Sequence, residues 1–271
     1  MVMNDYEKEQ WNAICKWKKQ EPGVISNAID MVMKPFSWIL NKIIPSAVIR
    51  GALTGFNGLA KLLADKGDIL RDGNVSSIEE LKHKNLKLCD QLADSVHNWA
   101  LGVAAVEGAG AGFVGLPGLV VDIPSLITLS LRTVHKIGLC YGYECNSEEE
   151  KMFIFQILSA AGSNTMQEKT AAILYMKQLQ VLISKTAFKK MGEKAAANKM
   201  SQEALVVAVR ALGKQLGINV TRRKALAAIP ILGGGVSAAM NTAFIGDVAW
   251  AARRIYQERW LNDNNMIQDN I

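Results

Sequence analysis

An uncharged run of 22 residues, Ala225 to Gly246, constrains this chain more than any other feature. Such a run is hidden either inside a helical bundle or in a bilayer. At about 1.5 Å per residue it is long enough to cross a hydrocarbon core of about 30 Å. A second apolar stretch lies upstream: fourteen uncharged residues separate Glu107 from Asp122, and nine more separate Asp122 from Arg132. Both stretches carry breakers, Pro230, Gly233-Gly234-Gly235 and polar Asn241 in one, Pro117, Asp122 and Pro124 in the other. An aspartate at a bilayer centre costs about 2.5–3.5 kcal/mol unless it is paired. The breakers therefore favour two Gly/Ala-rich apolar hairpins buried in a soluble bundle over conditional insertion, and insertion over stable spans. Small residues at Ala100, Ala104, Gly108 and Gly112 recur at every fourth position, a spacing that lets helices approach closely.

The remaining sequence reads as helix. Ser76 with Glu79 and Ser77 with Glu80 form overlapping capping boxes, and Ile78, Leu81, Leu88, Leu92, Val96, Trp99 and Val103 then trace one face of a long helix. Ser147 with Glu150 opens a second helix whose run from Met152 to Leu158 is apolar nearly all round, as in a central buried helix. Thr165 with Glu168 opens a third and Ser201 a fourth. No alternating strand pattern with hairpin turns occurs, so the fold class is all-α, a single compact helical bundle. Residues 1–70 form an amphipathic helical extension broken by Pro22-Gly23, Pro35 and Pro45, residues 76–261 the main helical domain, and 262–271 a polar tail.

The charge is uneven. Residues 185–224 carry ten basic side chains against Glu193 and Glu203, a local +8 in a chain of net +6. Lys189, Lys190, Arg222, Arg223 and Lys224 belong to this stretch, and the last three run directly into the 22-residue apolar segment. A basic surface beside an apolar run suits an anionic membrane surface or lipid. Trp11, Trp17 and Trp38, interleaved with lysines, suit the same interface or an arm packed on a bundle. Nucleic acid ranks lower as a partner, because no DNA- or RNA-binding motif accompanies the charge. The N-terminus is charged and mixed from the start, without the apolar run of a secretory signal, and Cys15, Cys89, Cys140 and Cys145 form no disulfide framework. The expectation is a cytoplasmic protein with reduced thiols, peripheral to the inner face of the membrane.

Candidate buried polar residues are Glu107, Asp122, Arg132, Asn241, Asp247 and Arg254. A carboxylate in apolar surroundings needs a partner, and Arg132 follows Asp122 as Arg253 and Arg254 follow Asp247. Asp122, before Ile123-Pro124, also has the sequence of a helix N-cap. Asp90, Asp94 and His97 share one helix face but lack the second acidic-x-x-His element of a di-metal site. No metal site, no cofactor motif, no Gly-x-Ser-x-Gly elbow and no phosphate loop is present, and nothing argues for an enzyme.

The segments Gly118-Leu119-Val120-Val121-Asp122-Ile123-Pro124-Ser125-Leu126 and Leu139-Cys140-Tyr141-Gly142-Tyr143-Glu144 resemble the core pattern of the EcsC protein family. Ile229-Pro230-Ile231-Leu232-Gly233, Asn241-Thr242-Ala243-Phe244-Ile245-Gly246-Asp247 and Ala251-Ala252-Arg253-Arg254-Ile255-Tyr256, with Arg259-Trp260, resemble its C-terminal pattern. The resemblance covers roughly residues 76–261. It implies a helical, typically bacterial protein in a membrane-linked setting, possessing no assigned reaction. The leading expectation is a non-enzymatic protein acting at the membrane, alone or within a membrane protein complex. A soluble carrier or sensor of a lipid-like ligand comes second, and an enzyme of unreadable class third.

Overall fold

The computed structural model describes residues 2–22, 65–112, 116–192, 215, 219 and 233–267. Most of them are helical, and none is in a strand. The helices are α1 (Asp5–Lys19), α2 (Gly67–Gly73), α3 (Leu86–Gly112), α4 (Leu116–Cys140), α5 (Glu148–Ala161), α6 (Met166–Gly192) and α7 (Gly233–Asp263), with a 3-10 turn at Ile78–His83.

Local capping sets most starts. Asn4 and Glu7 form a reciprocal capping box on α1, with bonds of 2.9 and 2.8 Å. Ser147 accepts the Glu150 amide at 3.2 Å to open α5, and Thr165 accepts the Glu168 amide at 3.2 Å to open α6. Two expectations are corrected. Ser77 and Glu80 do form a capping box, but it opens only the 3-10 turn; the long helix starts again at Leu86, where Asn85 accepts the Leu88 amide at 2.8 Å. Asp122 is no N-cap, because α4 begins at Leu116 and carries Asp122 and Pro124 inside it. The helix started by Ser201 lies outside the described residues.

α3 packs against α4 and α7 at the centre of the bundle. It runs antiparallel to α4, with Asp90 against Tyr141 and Trp99 against Arg132. It also runs antiparallel to α7, with Asp90 against Gln257, Asp94 against Arg253 and His97 against Trp250. Ala100, Ala104 and Gly108 are buried, as their four-residue spacing requires. Glycine permits two close approaches. A Cβ on Gly138 would stand 2.7 Å from the buried Tyr256 ring, and Gly142 turns the chain at φ +90° with its Cβ direction 2.7 Å from the Lys82 backbone nitrogen. α5 lies against both α6 and α7, and its face from Met152 to Ala161 is buried but for Gln156. The four cysteines are free thiols.

His135 on α4 is buried, and its Nδ1 has no hydrogen-bond partner among the described residues. Burial first, then the nearby Lys66, pushes its pKa from 6.5 down to about 4. Between those values the unfolded chain binds the proton and the folded chain does not, so stability rises with pH across the window and is lost on acidification. A His135→Gln chain is expected to melt with a flatter pH dependence between pH 6.5 and 4. Parallel melting profiles for the two chains would show that His135 protonates freely in the fold.

Candidate functional site

Four elements meet at Asp90 on α3, which is 2 % exposed. Its carboxylate accepts from Tyr6 of α1 at 2.6 Å, from Gln257 of α7 at 2.7 Å, and from Tyr141 just past α4. Burial first, and then the Asp90 carboxylate, raise the Tyr6 pKa above its ordinary value, and the same causes in that order raise Tyr141. Both phenols are therefore held as donors. One turn along α3, Asp94 pairs with Arg253. Asp90, Asp94 and His97 do share a face, as their spacing requires, but that face is occupied by hydroxyl, amide, guanidinium and indole groups. Among the described residues, no three His, Cys, Asp or Glu side chains gather as a metal site.

A buried pair closes this end of the bundle. Arg259 of α7 donates to both oxygens of Glu150 on α5, at 2.8 and 2.6 Å. Its guanidinium lies 4.0 Å from the Tyr143 ring centre and 5.0 Å from that of Phe153.

A cleft of about 530 Å³ lies beside this network. Its walls are the C-terminal end of α1, the end of α5, the start of α6 and the middle of α7. Ala13, Ala160, Ala161 and Ala251 supply the apolar surface, Trp17 and Trp250 the aromatic edges, and Lys16, Lys169, Arg254, Asp247 and Glu21 the charges. Lys169 is 5 % exposed and donates to the Trp17 and Gln20 carbonyls at the end of α1. A cation there opposes the negative end of the helix dipole. Burial lowers its pKa from 10.5 to about 8, against the opposing pull of Asp247.

The residue positions expected from sequence divide clearly. Trp17 edges the cleft, while Trp11 packs at the margin of the core with Lys18 over its ring at 6.0 Å. Arg254 and Asp247 both line the cleft, but Arg254 bonds Gln10 and Gln257, each at 2.9 Å, and Arg253 pairs with Asp94. Among the described residues, neither arginine is ion-paired with Asp247. Asn241 is buried as expected. Glu107 and Asp247 are exposed, correcting their place among the buried polar residues: Glu107 is open to solvent on α3, and Asp247 opens onto the cleft. Arg132 is half-buried with its guanidinium 4.7 Å from the Trp99 ring centre, and Lys136 lies 5.9 Å from the same ring. Lys189 and Lys190 belong to the last turns of α6, and Asp122 to α4; Arg222, Arg223, Lys224 and Trp38 lie outside the described residues. Sequence reading missed Lys169, Glu150, Arg259 and Gln257 as site or network residues. Only Arg259 carried a signal, within the Arg259-Trp260 motif.

The EcsC protein family matches the chain over residues 8–261. The chain belongs to the EcsC family. The match includes α1, which supplies Gln10, Lys16 and Trp17 to the network and the cleft, and so reaches further upstream than the motifs that carried the resemblance. The EcsC chain is also similar to the uncharacterized protein YdbA of Bacillus subtilis (strain 168), 29 % identical over 94 residues, which is 35 % of this chain and 35 % of that relative. The matched part thus spans about a third of the relative's length. No solved structure matches the chain. Among the described residues, no helix is long and apolar enough to cross a membrane.

Proposed function

We propose that this EcsC protein is a non-enzymatic, peripheral protein of the cytoplasmic membrane face that docks with one end of its bundle leading. The observation that carries this reading is topological. The antiparallel register of α3 with α4 and α7 brings the Gly/Ala-rich end of α3 and the apolar starts of α4 and α7 to the same end. From Trp99 to Gly112 the α3 helix extends about 20 Å, comparable to one leaflet's share of a hydrocarbon core of about 30 Å. Val106 on that stretch is 76 % exposed.

The border of this end has the composition of a membrane interface. Trp99 lies against Arg132 and Lys136, and Trp250 against Arg253 and Arg254 at 4.6 and 5.0 Å. An indole and a cation each find their favoured depth at a headgroup layer. Glu107 and Asp122 lie beyond this border and make deep insertion costly. Shallow docking follows, and a span does not. The basic run 185–224 adds attraction to an anionic leaflet.

Flotation with liposomes tests the reading. Anionic vesicles are expected to carry the protein and neutral ones much less, with binding falling as salt shortens the Debye length from about 10 Å at 0.1 M to about 3 Å at 1 M. Replacing Arg222, Arg223 and Lys224 together by glutamine should cost up to roughly 3 kcal/mol, at about 1 kcal/mol per charge. Val106→Asp should weaken flotation without changing the melting temperature, since the side chain is outside the core. Absence of binding to any vesicle at low salt would defeat the reading.

A further inference from the structure

Charge balance sets the cleft apart from the rest of the interior. Of the four buried lysines and arginines described, Arg253 pairs with Asp94, Arg259 with Glu150 and Lys136 with Asp68. Lys169 is the exception: its ammonium meets two backbone carbonyls and the Trp17 ring at 4.3 Å, with no carboxylate bonded to it. Arg254, half-buried on the same cleft, bonds two neutral glutamines. Lys16 at the rim is exposed and makes no ion pair among the described residues. Three cations thus converge on one cleft without a bonded carboxylate among them. Asp247 and Glu21 also line it, both exposed, and temper the field without closing the site. Of the three, Lys169 is desolvated, and a buried positive charge without an anion is costly.

The other walls say what accompanies the anion. Four alanines and two indoles form a surface for an apolar group next to the cations, and about 530 Å³ lies within the ~300–1,000 Å³ of small-molecule pockets. We infer that the cleft between α1, α5, α6 and α7 binds an anionic amphiphile, its phosphate held by Lys16, Lys169 and Arg254 and its apolar part laid on Ala13, Ala160, Ala161 and Ala251. Trp250 belongs both to this cleft and to the interfacial border, so the site lies at headgroup depth. The inference deepens the membrane reading, and it rests on that reading only for the source of the ligand.

The test is made in solution, without a bilayer. Dihexanoyl phosphatidate below its micelle concentration is titrated into the full chain while tryptophan emission and heat are followed, with inorganic phosphate and dihexanoyl phosphatidylcholine in parallel. Saturable one-site binding of phosphatidate is expected, with phosphatidylcholine much weaker. Lys16→Glu, on an exposed residue and so harmless to the fold, should weaken binding about tenfold, as loss of one charge-assisted contact does. Arg254→Gln should do likewise, with its melting curve recorded to separate binding from folding. Phosphate alone binding as tightly as phosphatidate, with the same loss in Lys16→Glu, would keep the anion site and assign it to a free phosphate. No saturable binding of either anion, equal binding of phosphatidylcholine, or full affinity in Lys16→Glu would overturn the inference. A chain that floats with vesicles but ignores soluble phosphatidate refutes the cleft alone. One that binds phosphatidate but does not float refutes the docking alone.

Discussion

Arg259→Ala is expected to cost about 3–5 kcal/mol of stability, the range for breaking a buried ion pair from one side. Both partners are nearly out of solvent, with side-chain exposures of 7 % for Arg259 and 12 % for Glu150. Burial alone would lower the Arg259 pKa, yet Glu150 beside it holds the guanidinium above even its ordinary value. Removing the arginine strands the carboxylate, and it also takes away the planar group stacked between Tyr143 and Phe153. A urea titration reads the effect as a lower midpoint at unchanged slope. The double variant Arg259→Met with Glu150→Met separates the two losses. It replaces a desolvated pair by packed apolar atoms and should recover much of the stability that either single change loses. An Arg259→Ala chain with the midpoint of the parent would show that water reaches Glu150 and that the pair is not a buried one.

The parts of this fold that were legible in the sequence are those whose cause is local. Ser147 and Thr165 start helices because their side chains reach amides three residues on, and that geometry is written in the spacing. The same signal misleads at Ser77, where the box closes a single 3-10 turn and Asn85 has to cap again. Nothing local distinguishes the two cases; tertiary packing of Ile78 and Leu81 decides. Glu107 and Asp247 looked buried because their sequence neighbours are apolar, but a helix of apolar residues in sequence still has positions open to solvent or to a cleft. The partners of Asp90 lie 84, 51 and 167 residues away, beyond the reach of any periodicity. The cleft escaped for the same reason, since Trp17, Lys169 and Arg254 come from three separate helices, α1, α6 and α7, that only the tertiary packing assembles.

That packing makes Asp90 the residue on which the remaining prediction turns. Asp90→Ala is expected to lower stability by about 3–5 kcal/mol, because two buried donors, Tyr141 and Gln257, and the half-buried Tyr6 lose their acceptor at once and each unsatisfied buried group costs about 1–3 kcal/mol, not additively. Asp90→Asn keeps one carbonyl oxygen for Gln257 or Tyr141 and should cost less. Tyr6→Phe removes only the bond from α1 and should leave the α3–α4–α7 core intact, loosening α1 alone. Hydrogen exchange distinguishes them: in Tyr6→Phe the amides of α1 should lose protection while those of α3 keep theirs, and in Asp90→Ala protection should fall in all four elements. Since α1 carries Lys16 and Trp17 to the cleft, Tyr6→Phe should also weaken phosphatidate binding while the melting temperature falls little. Equal melting of Asp90→Ala and the parent would mean that the two tyrosines and Gln257 find other acceptors, and that α1 is held on the bundle by its apolar face around Ile14 rather than by this network.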